Sequence, residues 1–484
     1  MRNALTTTSL LSLATLGLLA GCPDRTISEV NPQQGRVEYK DIPVSVNRDI
    51  DILFIIDDSP SMLDKQTNLK NNFPNFINVL NTIEGGLPNV HIGVVSSDLG
   101  TKGAGDQTAG PGIGSGPGSC SGNGKSGNLV TSASVQGVFI QDTKNPDGTR
   151  NVNYTGTLAA AFSSLASVGA GGCGFEQHIE AAKRAVANNP ANTGFVRQNA
   201  YLALIFIQDE DDCSIAHSTL LGSDTGTLGP LQSFRCNRFG HVCTGGGADS
   251  GQMNNTGVKT GCSSKDDGTY LTKVSDYITY FKSLKSDPAN VIVSGIMGPA
   301  EATNGQGKGE TVELRTPPGG GTMIPAVAHS CSYQGANGTE VADPSIRMLQ
   351  LFDGFPNRST FNTICQQDLS GSLTQIAQLL RTVIGSPCIE GNLADVDPNT
   401  EGDQYDCSVS DVTNFGKANQ SETVLPQCNN AGTPASSTNK PCWSIVPDPM
   451  NCMSGSHLTL KIERNEAPAA DTHVVSYCVT EGDM

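Results

Sequence analysis

The chain has 484 residues, 37% of them hydrophobic and 55 of them glycine, enough for two or three domains or one large domain with an appendage. Aromatic residues make up 5%, with a single tryptophan, which argues against a base-stacking surface for nucleic acid. Lys and Arg number 30 against 47 Asp and Glu, a net charge of −17, which opposes phosphate backbones and anionic lipid surfaces and suits hard cations.

The chain opens with Arg2, a short apolar run from Ser9 to Ala20, and small residues before a break. Residues 1–21 therefore read as an export signal, too short to span a bilayer. Leu19-Ala20-Gly21-Cys22 resembles the lipobox of bacterial lipoproteins, which implies cleavage before Cys22 and a lipid on its sulfur. The polar stretch that follows, to Arg48, reads as a tether over residues 22–48. The expected location is the bacterial cell envelope, lipid-anchored, in the periplasm or at the cell surface. Cysteine usage agrees: of 15, removing Cys22 leaves eight between Cys120 and Cys365 and six between Cys388 and Cys478. Two even sets suit two separately stapled units in an oxidising compartment. The absence of a C-x2-C pair argues against zinc.

Asp51–Asp57 is continuous and β-branched, as a strand buried on both faces should be. Met62–Asn81 carries apolar residues at helical spacing, with Pro74 inside. Val90–Val95 reads as a strand, and Leu99–Asn128 as a Gly/Ser-rich surface loop pinned by Cys120. A helix is predicted over Phe175–Asn188, a fully apolar strand over Tyr201–Ile207 and a polar insertion over Gly222–Asp267. Helix, strand and loop follow over Tyr270–Lys285, Val291–Ile296 and Ala300–Gly321, and the last helix spans Leu373–Ile384. This alternation predicts an α/β domain over residues 49–388, with a doubly wound, mostly parallel sheet and long loop insertions. Residues 389–484 read as a small, disulfide-stapled, β-rich module, with His457–Ile462 alternating like a strand.

The chemistry concentrates at two strand ends. Asp57, Ser59 and Ser61 alternate directly after the first strand, so a carboxylate and two hydroxyls can converge. Such oxygens suit magnesium, manganese or calcium. Asp209-Glu210-Asp211-Asp212 follows the Tyr201–Ile207 strand. Ligands of open parallel sheets bind beyond the carboxyl ends of strands where strand order reverses. If these two strands flank the reversal, Asp57 and Asp209 meet there.

Asp57-x-Ser59-x-Ser61 resembles the first motif of von Willebrand factor type A domains, whose adhesion site combines D-x-S-x-S with a Thr from a second loop and an Asp from a third. Asp209 matches the third-loop Asp, and Gly171–Glu176 is similar to the second-loop segment. The resemblance implies a divalent cation, magnesium first with calcium or manganese as alternatives, and a partner that presents a carboxylate. Cys173 stands where the Thr belongs, and a thiol is a poor magnesium ligand. A Cys173–Cys213 disulfide is expected instead, with Glu176 replacing the hydroxyl or complementing the helix start. Glu210 and Asp211 would enlarge the site towards calcium.

Other motifs fail. Gly124-Lys125-Ser126 lacks the glycine and the context of a phosphate loop, and neither G-x-S-x-G nor H-E-x-x-H occurs. His178 reads as an ordinary surface or packing residue. Asp395, Asp397, Asn399 and Asp406 match an EF-hand loop only loosely, since Thr400 replaces its glycine. The expectation is a binding protein rather than an enzyme, with no nucleic-acid partner and contact with the membrane through its lipid. A structural scaffold and, more remotely, a metal-dependent envelope hydrolase stay open.

Overall fold

The computed structural model describes residues 36–43, 48–83, 86–145, 147–300, 308–317 and 320–385. Beyond these it describes 388–389, 391–397, 399, 402–414, 419–428, 440–449, 452, 455–465 and 472–481. The expected signal segment and Cys22 lie outside these residues. Two compact units emerge: Asn47–Ser386, and a smaller one built from the two ends of the chain.

The larger unit is a mixed α/β domain around a seven-stranded sheet. Its strands, numbered in chain order, are β1 (Asp49–Ile56), β2 (Asn89–Ser96), β3 (Ile140–Lys144), β4 (Arg150–Val152), β5 (Tyr201–Ile207), β6 (Val291–Met297) and β7 (Ser359–Thr363). They lie in the order β7-β6-β5-β1-β2-β3-β4, with parallel neighbours except that β3, near one edge, runs antiparallel to both β2 and β4. The sheet is therefore mostly parallel, and the apolar runs fill its centre: every residue of β5 and β6 is buried. A strand buried on both sides needs no alternation, and that is the pattern these runs show.

Helices of more than one turn are α1 (Leu63–Asn81), α2 (Leu158–Leu165), α3 (His178–Val186), α4 (Phe234–Gly240), α5 (Val274–Ser283), α6 (Ile346–Asp353) and α7 (Ser370–Gly385). Phe54 of β1 packs on Phe73 and Phe76 of α1 and on Phe162 of α2. Its neighbours Leu53 and Ile55 pack on the opposite face, in a core that includes Ile179 of α3, Phe281 of α5 and Leu351 of α6. Successive strand side chains point to opposite faces, so one apolar strand seeds both layers.

Helix α3 begins three residues later than its periodicity predicts. The backbone before it is bonded sideways instead: Gln177 N–H donates to Ser97 O (3.1 Å) and Cys213 N–H to Glu176 O (2.8 Å). The expected loop Ala300–Gly321 contains a strand, Gly309–Arg315. With His241–Gly245, Gly257–Ser264 and Ile324–Val327 it forms a four-stranded antiparallel sheet, so the polar insertion and this loop fold together. Burial of Glu310 and Val312 on this strand accounts for the order. A hairpin, Cys331–Gln334 with Thr339–Ala342, follows.

The smaller unit has a four-stranded antiparallel sheet in the order Arg36–Pro43, His473–Thr480, Cys407–Thr413, Ser421–Leu425, and a separate hairpin of Cys442–Pro447 with Leu458–Glu463. Part of the expected tether is thus a strand, because residues 36–43 pair along their whole length with the last strand. Val409, Leu425, Trp443, Leu460 and Val474 form the core.

Cysteines pair within each unit: 120–173, 213–236, 243–262 and 331–365 in the larger, 388–452, 407–478 and 428–442 in the smaller. Seven disulfides are consistent with an extracytoplasmic protein. Among the described residues no helix is long and apolar enough to cross a membrane.

Candidate cation site

β1 pairs with β2 on one side and β5 on the other, in register from Ile50 to Ile56. The chain fills one side of β1 first and the other later, so strand order reverses between β1 and β5. Ile56 lies opposite Ile207, and Asp57 N–H donates to Ile207 O (3.0 Å). The Asp57 and Asp209 loops therefore leave the sheet side by side.

Asp57 Oδ1 accepts the Ser59 N–H (2.7 Å), which fixes the carboxylate. Ser59 Oγ and Ser61 Oγ are 3.0 Å apart, and the Ser61 hydroxyl helps to lower the Asp209 carboxyl. Asp57 is fully buried and Asp209 is 2% exposed. Asp57 Oδ2 and Asp209 Oδ1 are buried with no hydrogen-bond partner. Burial, and then the charge of Asp57, push the Asp209 carboxyl up to about 6 against the pull of Lys65. Glu176 is buried as well, and burial followed by the charges of Glu210 and Asp57 drives its carboxyl well above the usual range. Glu210 is raised too, by burial and then by Asp343 and Asp209. The structure thus brings Asp57, Ser59, Ser61 and Asp209 together and sets Glu176 and Glu210 within their field. Among the described residues no cluster of three or more His, Cys, Asp or Glu side chains is assembled for a metal. The donor set is a mixed carboxylate–hydroxyl one.

The acidic run divides. Asp211 Oδ2 meets His241 Nε2 (2.8 Å) and accepts the Arg347 N–H, while Asp212 pairs with the Arg347 guanidinium (3.1 Å), every side chain 4% exposed or less. The expected role of Asp211 as a calcium ligand is therefore corrected: its oxygens are taken by His241 and by the backbone N–H groups of Asp212, Arg347 and Met348.

The second loop also departs from expectation. Cys173 is bonded to Cys120 and Cys213 to Cys236, so the expected Cys173–Cys213 bridge does not form. Gly174 N–H donates to Gly118 O (3.0 Å), which lays the Cys120 loop against Cys173, whereas Cys213 faces Cys236 at α4. Both bridges share one apolar cluster. Gly172 N–H donates to Asp58 O (2.7 Å), and a Cβ on Gly172 would lie 2.2 Å from Asp58 Oδ1, so only glycine fits there.

Two residues of the site were not foreseen. Lys65, 1% exposed, places Nζ 3.0 Å from Asp209 Oδ2, 3.0 Å from Ser61 O and 2.7 Å from Glu340 Oε2. Burial opposes its charge, but Asp209 and Glu340 raise its ammonium above the ordinary lysine range. Lys65 follows Ser61 by one helical turn, a spacing visible in the sequence. His178, expected as a surface or packing residue, is fully buried, with Nε2 3.5 Å from Asp57 Oδ2 and neither ring nitrogen hydrogen-bonded. In the smaller unit, Asp395 Oδ1 accepts the N–H groups of Asp397 and Gln404 and Asp397 Oδ1 accepts that of Asn399, so these acids cap a turn. Thr400 lies outside the described residues.

The site opens into a pocket of about 710 Å³. Ser61 and Asp209 line it together with residues of α4, the Ile324–Val327 strand and residues 341–343.

No family model matches the chain, and no curated protein matches it. Among solved structures it is similar to one described as von Willebrand factor type A from Catenulispora acidiphila, at 10% identity and a TM-score of 0.28, covering 95% of this chain and 68% of that one. It is also similar to the pilus adhesin of Streptococcus pneumoniae (11% identity, TM-score 0.20, 93% of this chain and 58% of that one). A human COPII-coat protein gives 9% identity and a TM-score of 0.28, covering 95% of this chain and 48% of that one. Overlaps this loose carry no weight beside the geometry of the site.

Proposed function

We propose that this chain is a lipid-anchored binding protein of the bacterial cell envelope, not an enzyme, that holds a divalent cation and receives a partner's carboxylate there. We read its winding as the doubly wound one of von Willebrand factor type A domains. One observation carries the proposal. Asp57 Oδ2 and Asp209 Oδ1 come from loops after adjacent strands and are buried without a hydrogen bond beside the Ser59–Ser61 hydroxyl pair, with His178 Nε2 3.5 Å from the first. Buried carboxylate oxygens without partners are costly, and a hard cation among them removes that cost. A bound ion would supply an open position for a carboxylate oxygen. The chain's own residues do the rest. The Ser59 N–H orients Asp57, Lys65 holds one oxygen of Asp209 and leaves the other free, and Glu176 stands behind as a third acid where the disulfide-bonded Cys173 cannot donate.

The test is titration of the purified mature chain with Mg²⁺ and Mn²⁺ by calorimetry, with Asp57→Ala and an EDTA-treated control. Binding of one ion, lost in Asp57→Ala, supports the proposal; equal heats in both proteins refute it. Lys65 favours a second reading, a scaffold whose site is neutralised from within, because its ammonium already answers Asp209. Absence of any binding by the wild-type chain favours that reading.

A further inference from the structure

The family that the sequence resembles gives no account of the inserted segments, and in this chain they change what can reach the site. Ile324, Val327 and Val341 lie in the same pocket as Ser61 and Asp209. A ligand that touches both sets must enter a space of about 710 Å³. That size falls in the ~300–1,000 Å³ range of sites that enclose a small ligand, whereas a flat protein interface spreads over about 800 Å² per partner. The chemistry is divided. Ser61, Asp209, Glu210 and Asp343 bring hydroxyl and carboxyl groups to the lining, Arg315 and His329 bring basic ones, and Phe234, Ile324, Val327 and Val341 bring the apolar surface. Leu231, Leu314 and Met323, next in sequence to the wall residues Gln232, Arg315 and Ile324, are exposed large apolar residues. The wall is fixed to the site. Asp343 N–H donates to Asp209 O (2.7 Å), Glu340 meets Lys65, and the Arg315 guanidinium donates to Val327 O (2.7 Å).

Resting on the proposed ion site, we infer that the ligand is an extended peptide segment, with an acidic side chain directed to the ion and an adjacent apolar side chain against the Ile324–Val341 wall. A folded partner's broad face is not what this pocket fits. Successive side chains of an extended segment point to opposite sides and stand about 3.3 Å apart along the chain, so that one can meet the ion while the next meets the wall.

The test uses fluorescently labelled, C-terminally amidated tetrapeptides on the purified mature protein in Mg²⁺: Ala-Glu-Leu-Ala, Ala-Glu-Phe-Ala, Ala-Glu-Ser-Ala, Ala-Gln-Leu-Ala and Ala-Lys-Leu-Ala. The Glu-Leu and Glu-Phe peptides should bind at least tenfold tighter than the Glu-Ser and Gln-Leu peptides, and EDTA should remove the difference. Ala326→Trp and, from the other wall, Val341→Trp should each lower peptide affinity at least tenfold while Mn²⁺ affinity stays within twofold, which also shows that the variants fold. Ion binding without a peptide preference, or with affinities untouched in both tryptophan variants, overturns the inference and leaves the ion site standing. Tighter binding of the Lys-Leu peptide in EDTA overturns it in favour of a site that takes cationic side chains directly. Failure of the wild-type chain to bind Mg²⁺ or Mn²⁺ overturns the ion site and this inference together.

Discussion

Raising the pH should loosen the charge cluster that ties the insertion to the loop carrying Asp209. His241, 1% exposed, stands between Asp211 (Nε2 to Oδ2, 2.8 Å) and both oxygens of Glu310 (Nδ1, 3.1 Å). Burial opposes the imidazolium, yet Glu310 and Asp211 outweigh it and raise the group to about 9. An unfolded histidine titrates near 6.5. The folded chain therefore holds an extra proton between about pH 6.5 and 9. The stabilisation is complete below about 6.5 and is lost as the pH rises through about 9. About 2.5 units at about 1.4 kcal/mol each give about 3 kcal/mol. Urea unfolding from pH 6 to pH 10 measures it, with His241→Gln as the reference because glutamine cannot take up the proton. The wild-type protein should lose about 3 kcal/mol more than the variant over that interval. Parallel profiles would refute the reasoning.

Lys65→Gln removes the resident positive charge from Asp209 and should tighten Mn²⁺ binding at least ~10-fold; an unchanged or weaker affinity by calorimetry contradicts the role given to Lys65. Cys120→Ala with Cys173→Ala opens a closure of 53 residues and should cost about 4 kcal/mol of unfolding free energy. A peptide map of the unreduced wild-type protein should recover the 120–173 and 213–236 pairs. Arg347→Met leaves Asp212 buried without its cation, a loss of about 3–5 kcal/mol by urea unfolding; a loss under about 1 kcal/mol would show that water or Ser214 suffices.

The parts of the site that a local pattern can carry were legible. A continuous apolar strand followed by Asp57-x-Ser59-x-Ser61 states both where the chain leaves the sheet and what it presents there. Asp209 was legible for the same reason, and the pairing of Ile56 with Ile207 brings the two loops together. What depends on distant loops was not legible. The partner of Cys173 is decided by the contact of Gly118 with Gly174, 56 positions apart in a glycine-rich stretch with no periodicity. Strands β3, β4 and β7 are short, and their half-buried or exposed positions break the apolar run that marks the central strands. Gly309–Arg315 was expected to be loop, and what orders it is distant in sequence: Glu310 is buried against His241. His178 looked ordinary because nothing in its neighbours shows that the preceding backbone is drawn towards Ser97 and Cys213.

The division of Asp209-Glu210-Asp211-Asp212 links these observations. Four consecutive acids would repel one another if they shared one environment. Here Asp209 and Glu210 line the pocket, while Asp211 and Asp212 neutralise His241 and Arg347 beneath it. The second pair anchors the first: Arg347 reaches from α6, and His241 and Glu310 from the inserted sheet. Asp209 is also held by the Asp343 N–H just after the Cys331–Ala342 hairpin, and by Lys65 of α1, which Glu340 of that hairpin engages. The wall of the pocket and the acid in its lining are thus cross-connected by buried hydrogen bonds and ion pairs, each costly to leave half-made. A ligand that pushed the wall aside would have to break one of them. If the proposed ion binds, selectivity is expected to reside in the inserted segments, with the ion supplying the interaction that its ligands share.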